Sequence, residues 1–170
     1  MTLTSLFVLG GARSGKSRHA QARAEASGLK RLFIATAQPF DDEMRDRIAR
    51  HRRERGAGWE SVEAPFDLAA VIRARSAPDQ LLLIDCLTLW TSNLLLAEQD
   101  MEAATADLVA AIGAARGPLI LVANEVGLGI VPDNALARRF RDAAGIVNQQ
   151  VAATVDEVQF LAAGLPLRLK

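Results

Sequence analysis

The chain has one cysteine, no tyrosine and only 5% aromatic residues in 170 positions, and its 20 Lys+Arg cancel its 20 Asp+Glu. A single thiol, Cys86, excludes an intrachain disulfide framework and a multi-cysteine zinc site. Zero formal net charge removes the electrostatic footprint of a general nucleic-acid binder, whose affinity comes largely from neutralised phosphates. No apolar run approaches the roughly 20 residues of a membrane span. Met1–Leu9 is apolar, but it has no basic leading region and runs into Gly10–Gly11 in place of a cleavage site. There is no internal repeat, low-complexity tract or linker. What remains is an ordinary globular composition, 50% apolar and 24% charged, at a length that predicts a single domain over residues 1–170. A cytoplasmic enzyme or switch is the expectation.

The apolar runs are short and separated by stretches of helical period. Leu3–Leu9, Leu32–Ala35, Leu81–Ile84 and Leu119–Val122 are almost continuously apolar, as strands buried on both faces of a parallel sheet must be. Glu157–Leu161 and Leu165–Leu169, joined through Ala162-Ala163-Gly164, predict a closing antiparallel hairpin. Helices are predicted over Lys16–Ala26, Asp41–Arg55, Phe66–Arg75, Thr88–Ala97, Met101–Ala115 and Asp133–Ala153. The last starts at a Pro132-Asp133 signal and carries Leu136, Phe140, Ala143, Val147 and Val151 as a core-facing stripe. Strands alternating with helices imply an α/β sandwich.

Gly10-Gly11-Ala12-Arg13-Ser14-Gly15-Lys16-Ser17 fits G-x-x-x-x-G-K-[ST] and stands where that motif's mechanism needs it, after a buried strand and opening a helix. Glycines let the backbone wrap a triphosphate with its N–H groups inward, and the helix N-terminus adds positive potential. Lys16 is expected to reach the β- and γ-phosphates and the Ser17 hydroxyl to join the shell of a Mg²⁺ ion. Asp85, ending the Leu81–Ile84 strand, is placed as the second metal ligand, a Walker-B aspartate; the competing reading is a cap for the Thr88 helix. Cys86 beside it reads as a small buried hydrophobe.

The Asp41–Arg55 segment leads with acidic residues and carries six arginines between positions 45 and 55, the order a helix dipole favours. On a helical wheel Met44, Ile48, His51 and Arg55 share one stripe flanked by Arg47. Two readings stand. In one, His51 is a nucleophile on phosphorus, kept neutral by the surrounding cations, with arginines holding phosphates. In the other it packs on a solvated basic helix. Likewise Asn124–Gly129 reads as a site edge or as a turn with an Asx-type bond. Arg138, Arg139 and Arg141 read as phosphate ligands or as partners of Asp142. His19 reads as structural or as supporting the site from behind.

Taken in order, Gly10–Ala20, Ile34-Ala35-Thr36, Asp41-Asp42-Glu43-Met44, Arg47-Ile48-x-x-His51-Arg52-x-x-Arg55, Asp85-Cys86-Leu87-Thr88, Asn124-Glu125-Val126-Gly127-x-Gly129-Ile130-Val131-Pro132 and Arg138–Gly145 with Val147-Asn148 resemble one family. It is the bifunctional adenosylcobinamide kinase/adenosylcobinamide-phosphate guanylyltransferase family of cobalamin biosynthesis, and the likeness runs from about residue 6 to 170. The resemblance implies a P-loop NTPase fold of RecA-like type, with a mostly parallel central sheet flanked by helices and a C-terminal antiparallel hairpin, and a homotrimer. It implies two reactions: ATP or GTP phosphorylates adenosylcobinamide, then GTP guanylylates a histidine that passes GMP to adenosylcobinamide phosphate, giving adenosylcobinamide-GDP. The histidine falls on His51. Nucleotide contacts fall on Gly10, Gly11, Ala12, Arg13, Ser14, Gly15, Lys16 and Ser17, on Ile34, Ala35 and Thr36, on Arg52, Arg53, Glu54 and Arg55, and on Glu63 and Asp85. Some relatives carry two adjacent histidines in this helix; here Arg50 precedes a single one. The alternative is another small-molecule P-loop kinase in which His51 is not a nucleophile. The Asn-Lys-x-Asp guanine reader of switch GTPases is missing, which argues against a nucleotide switch.

Overall fold

The structure, a computed structural model, describes residues 4–38 and 42–170, except the side chains at positions 43, 44, 47, 50, 51, 52 and 54. Seven strands, β1 (Ser5–Gly10), β2 (Lys30–Ala35), β3 (Trp59–Glu63), β4 (Gln80–Asp85), β5 (Leu119–Asn124), β6 (Glu157–Ala162) and β7 (Leu165–Arg168), form one sheet in the order β3-β2-β4-β5-β1-β6-β7. All neighbours are parallel except the β6–β7 pair. The helices are α1 (Lys16–Glu25), α2 (Asp42–Arg55), α3 (Leu68–Arg75), α4 (Leu87–Leu96), α5 (Met101–Gly113) and α6 (Ala135–Thr154).

Side chains alternate across a strand, and here both faces are covered, which is why the central strands read as unbroken apolar runs. One face packs Phe7, Leu32, Ile34, Leu82, Ile84 and Leu121 against α3, α4, α5 and α6 through Leu68, Ile72, Trp90, Leu108 and Val147. The other packs Leu6, Val8, Leu83, Ile120 and Val122 against α1, which offers only Ala20 and Ala24 and therefore lies close to the sheet. The β2–β3 end of that second face is left to a cleft.

The sequence expectation differs from the fold in the following respects, besides shifts of one or two residues at other element ends. It has no β3: Trp59-Glu60-Ser61-Val62-Glu63 is an edge strand with an exposed, acidic face, so it lacks the continuous apolar run of its neighbours. Helix α3 starts at Leu68, two residues later than expected. Helix α6 starts at Ala135, because the Asn134 side chain, accepting from Ala137 N–H at 2.7 Å, supplies the cap in place of Asp133. Its stripe is buried only in the C-terminal half, at Val147 and Val151; Leu136 is exposed and Phe140 half-buried, where they line a shallow cavity with Ser92, Leu95 and Leu96 at the end of α4.

Candidate active site

The phosphate loop joins β1 to α1 with the geometry its glycines predict. Gly15 has φ 90°, a left-handed backbone that glycine adopts without steric cost. A Cβ on Gly10 would meet Ser14 Oγ at 2.5 Å and the Leu161 carbonyl at 2.8 Å, whereas one on Gly11 would meet nothing within 4 Å. The β6–β7 turn holds the loop from outside: Gly164 N–H donates to the Ser14 carbonyl at 2.8 Å. Lys16 folds back over the loop, its Nζ 3.1 Å from the Gly11 carbonyl. Ala12 and Arg13 are exposed at the tip, and Ser14 Oγ is buried beneath it with no hydrogen-bond partner.

From Lys16 and Ser17 a cleft of about 210 Å³ runs between α1 and α2 over the ends of β4, β2 and β3. Register explains its floor. Ala35 pairs with Asp85 on one side and Glu63 on the other, and Phe33 with Leu83 and Ser61, so all six side chains rise on one face. Asp85 therefore stands a strand's width from the end of β2, within the same cleft as Lys16 and Ser17. It is not a cap: the N-cap of α4 is Cys86, which makes no side-chain cap bond. At the far end Arg55, buried, lays its guanidinium 3.6 Å above the Phe33 ring, a cation–π contact beside Glu63 in the lining. Cys86 lines the cleft from the core, and burial, followed by the neighbouring Asp85 charge, pushes its thiol up to about 11.

Of the expected nucleotide residues, the structure brings Lys16, Ser17, Ala35, Arg55, Glu63 and Asp85 to this one cleft. Ile34 points into the opposite core, Thr36 is fully buried, and Arg53 is exposed outside the lining. The side chains of His51, Arg52 and Glu54, with Met44 and Arg47, lie outside the described residues. Their helix does not: Ile48 and Arg55, three before and four after position 51, both line the cleft. Asn124, expected as a site edge, lines the cleft; sequence reading missed Gln21, Phe33, Ser61, Val62 and Leu89 as lining residues. Period-2 alternation puts Ser61 on the same face of β3 as Glu63, but an edge strand this polar gives too little pattern for the strand to be read from sequence.

Three further expectations resolve. His19 is structural, its Nε2 lying 2.6 Å from Gln159 Oε1 between α1 and β6. After β5 the side-chain turn is made by Glu125, whose Oε1 accepts Gly127 N–H at 2.6 Å, and Asn124 Oδ1 is buried without a partner. Arg141 pairs with Asp142 at 3.0 Å, and Arg138 donates to the Pro132 and Asp133 carbonyls at 2.8 Å each.

The family model for cobinamide kinase/cobinamide phosphate guanyltransferase matches residues 6–169. The chain belongs to this family. Among curated relatives of the cobinamide kinase/guanyltransferases, it is 48% identical to the bifunctional adenosylcobalamin biosynthesis protein CobP of Pseudomonas aeruginosa, over 96% of each chain. It is 44% identical to the bifunctional adenosylcobalamin biosynthesis protein CobU of Salmonella typhimurium, over 97% of this chain and 99% of that one. The fold is that of P-loop ATPases. An ATPase from the type III secretion system of pathogenic bacteria superposes with a TM-score of 0.54 at 12% identity, over 97% of this chain and 56% of the other. The flagellar accessory protein FlaH of Methanocaldococcus jannaschii gives 0.55 at 11% identity, over 98% and 78%. At such identities the likeness establishes architecture alone.

Proposed function

We propose that this cobinamide kinase and cobinamide phosphate guanyltransferase runs both of its reactions from the one phosphate loop, with position 51 supplying the nucleophile of the second. The family assignment makes the chain a bifunctional enzyme of cobalamin biosynthesis, acting on adenosylcobinamide and its phosphate. One observation carries the reading of the site: the cleft that begins at Lys16 and Ser17 ends beneath the helix that bears His51, with Ile48 and Arg55 on either side of that position in the lining.

In the first reaction the loop amides and Lys16 hold the β- and γ-phosphates of ATP or GTP. The aminopropanol hydroxyl of adenosylcobinamide attacks the γ-phosphorus, the bond to the β–γ bridging oxygen breaks, and the proton leaves with solvent. A loose transition state of this kind asks mainly for positioning and charge stabilisation. Ser17 and Asp85 are the Mg²⁺ ligands in this reading. One hydroxyl and one carboxylate fit that ion, which keeps waters and phosphate oxygens as its other ligands. The described residues hold no group of three or more His, Cys, Asp or Glu that would favour a different metal. When bound, Mg²⁺ neutralises the charge that develops on the transferred phosphate.

In the second reaction the His51 imidazole attacks the α-phosphorus of GTP. A P–N bond forms as the P–O bond to pyrophosphate breaks; a phosphate oxygen of the substrate then displaces the imidazole. The nitrogen leaving group splits one difficult displacement into two. Phe33, Arg55 and Glu63 give the far end of the cleft an apolar ring with a cation and a carboxylate, a pocket suited to the base, and Ala35 lines its middle. Arg52, Arg53 and Glu54 are assigned to the same nucleotide, and Ile34 and Thr36 serve it as the backbone and support of β2. The enzyme is further proposed to work as a cytoplasmic homotrimer; among the described residues no helix is long and apolar enough to cross a membrane.

Incubation with GTP labelled at the α-phosphate tests the transferase half. Wild type should take up an acid-labile, base-stable label, and His51→Ala should take up none. Unlabelled but kinase-active wild type would leave an ordinary phosphotransferase in which His51 is a bystander.

A further inference from the structure

Asp85 is the last residue of β4, and the end of a strand does little on its own to aim a carboxylate. Here the segment it leads into is gripped from both sides by buried hydroxyls. On the β2 side Thr36, with no exposed surface, commits both capacities of its hydroxyl to one residue: Oγ1 donates to the Cys86 carbonyl at 2.7 Å and accepts from the Cys86 N–H at 2.9 Å. Asn93, also buried, donates through Nδ2 to the Thr36 carbonyl at 2.8 Å and to the Pro65 carbonyl at 3.0 Å, tying the end of β2 back to α4. On the β5 side buried Thr88, in the first turn of α4, accepts the Asn124 N–H on its Oγ1 at 2.7 Å. The exit of β4 is thus hydrogen-bonded to the ends of both neighbouring strands.

Valine fills nearly the same space as threonine, and a buried hydroxyl costs free energy unless its bonds are made. Packing alone therefore gives no reason for hydroxyls at these positions. What they add is direction, because bonds of fixed geometry confine the Cys86 peptide that adjoins Asp85. We propose that Thr36 and Thr88 are positioning residues of the phosphoryl-transfer site, holding the Asp85 carboxylate toward the cleft for the divalent cation that accompanies the nucleotide. Thr36 thereby acts on the nucleotide through Asp85 and not by touching it. The inference rests on the reading of Asp85 as the metal carboxylate.

The test uses the full chain with a non-hydrolysable GTP analogue. Mn²⁺ affinity of the complex is read by electron paramagnetic resonance, and analogue affinity is read in EDTA. Supporting groups behind metal ligands are worth about 10–100-fold in metal affinity. Thr36→Val and Thr88→Val should lose Mn²⁺ affinity in that range with analogue binding in EDTA unchanged, and Thr36→Ser, which keeps the hydroxyl, should restore it. Asp85→Asn calibrates the experiment. If it leaves Mn²⁺ affinity at the wild-type value, the metal role of Asp85 fails, whatever the threonines do. If it abolishes Mn²⁺ binding while folded Thr36→Val and Thr88→Val match wild type, the positioning role is overturned and the metal role stands. Should Thr36→Val not fold, Thr88→Val on the other side of the grip decides by the same readout.

Discussion

Cys86 shows how a residue without a chemical role of its own can report on the site it lines. Its Sγ belongs to the core beneath α1, and burial followed by the Asp85 charge raises its thiol to about 11. The unfolded thiol titrates near 8.5. A group with its folded pKa raised stabilises the native state fully below the unfolded value and loses that contribution as pH climbs through the folded one. Stability should therefore fall between pH 8.5 and 11, by an amount on the order of 3 kcal/mol from this group alone. The absence of tyrosine, with lysine only at 16, 30 and 170, leaves little else to titrate in that window. Urea midpoints at pH 7 and pH 10 should separate wild type, which loses stability, from Cys86→Ala, which loses clearly less. Native protein at pH 8 should also resist iodoacetamide until unfolded. The same burial made Cys86 readable in the sequence: a lone cysteine directly after a buried strand behaves as a small hydrophobe.

At the scale of elements, the phosphate loop is wedged between the end of β1 and the β6–β7 hairpin, and its glycines are not equivalent. An added methyl at Gly10 has nowhere to go, since the Leu161 carbonyl at 2.8 Å is backbone and Ser14 is itself buried. Overpacking of that kind costs about 1–3 kcal/mol. Gly11 faces open space, so Gly11→Ala should stay within roughly 0.5 kcal/mol of wild type in stability while weakening nucleotide binding, because the methyl would stand where phosphate approaches. Thermal denaturation beside nucleotide titration of the two variants checks the contrast; equal stability losses would show that the hairpin does not press on the loop. The loop itself was fully legible, because strand, glycine spacing and helix are all local in sequence. The cleft was half legible. Asp85 could be placed from the strand it ends, but Ser61 and Val62 could not, since β3 hides among acidic residues, and Phe33 reaches the site only through strand pairing. The Thr36–Cys86 bonds span 50 residues of sequence, and no local pattern announces such a contact.

At the scale of the whole molecule, one feature of the surface is out of keeping with a monomer. Ile130 is 98% exposed and Leu128 82%, with Val131, Leu136 and Leu96 open to solvent nearby in the fold or chain, and Leu165 and Leu167 on edge strand β7 are exposed with Leu169 just beyond its end. Soluble monomers seldom leave so many large apolar side chains grouped in this way, and zero net charge supplies no long-range repulsion to keep copies apart. Half-buried α6 explains why its stripe resembled a core stripe in the sequence: the periodicity marks a face that wants covering, whether the cover comes from the same chain or another. The proposed homotrimer supplies one. Light scattering on the wild-type chain should then give three times its 18.3 kDa mass, and Ile130→Glu combined with Leu136→Asp should lower it to the monomer without unfolding the sheet, as judged by circular dichroism. If the paired substitution leaves the trimer intact, the β7 edge is the interface instead, and Leu167→Asp becomes the variant that dissociates it. A wild-type mass of 18.3 kDa at micromolar concentration would remove the trimer altogether.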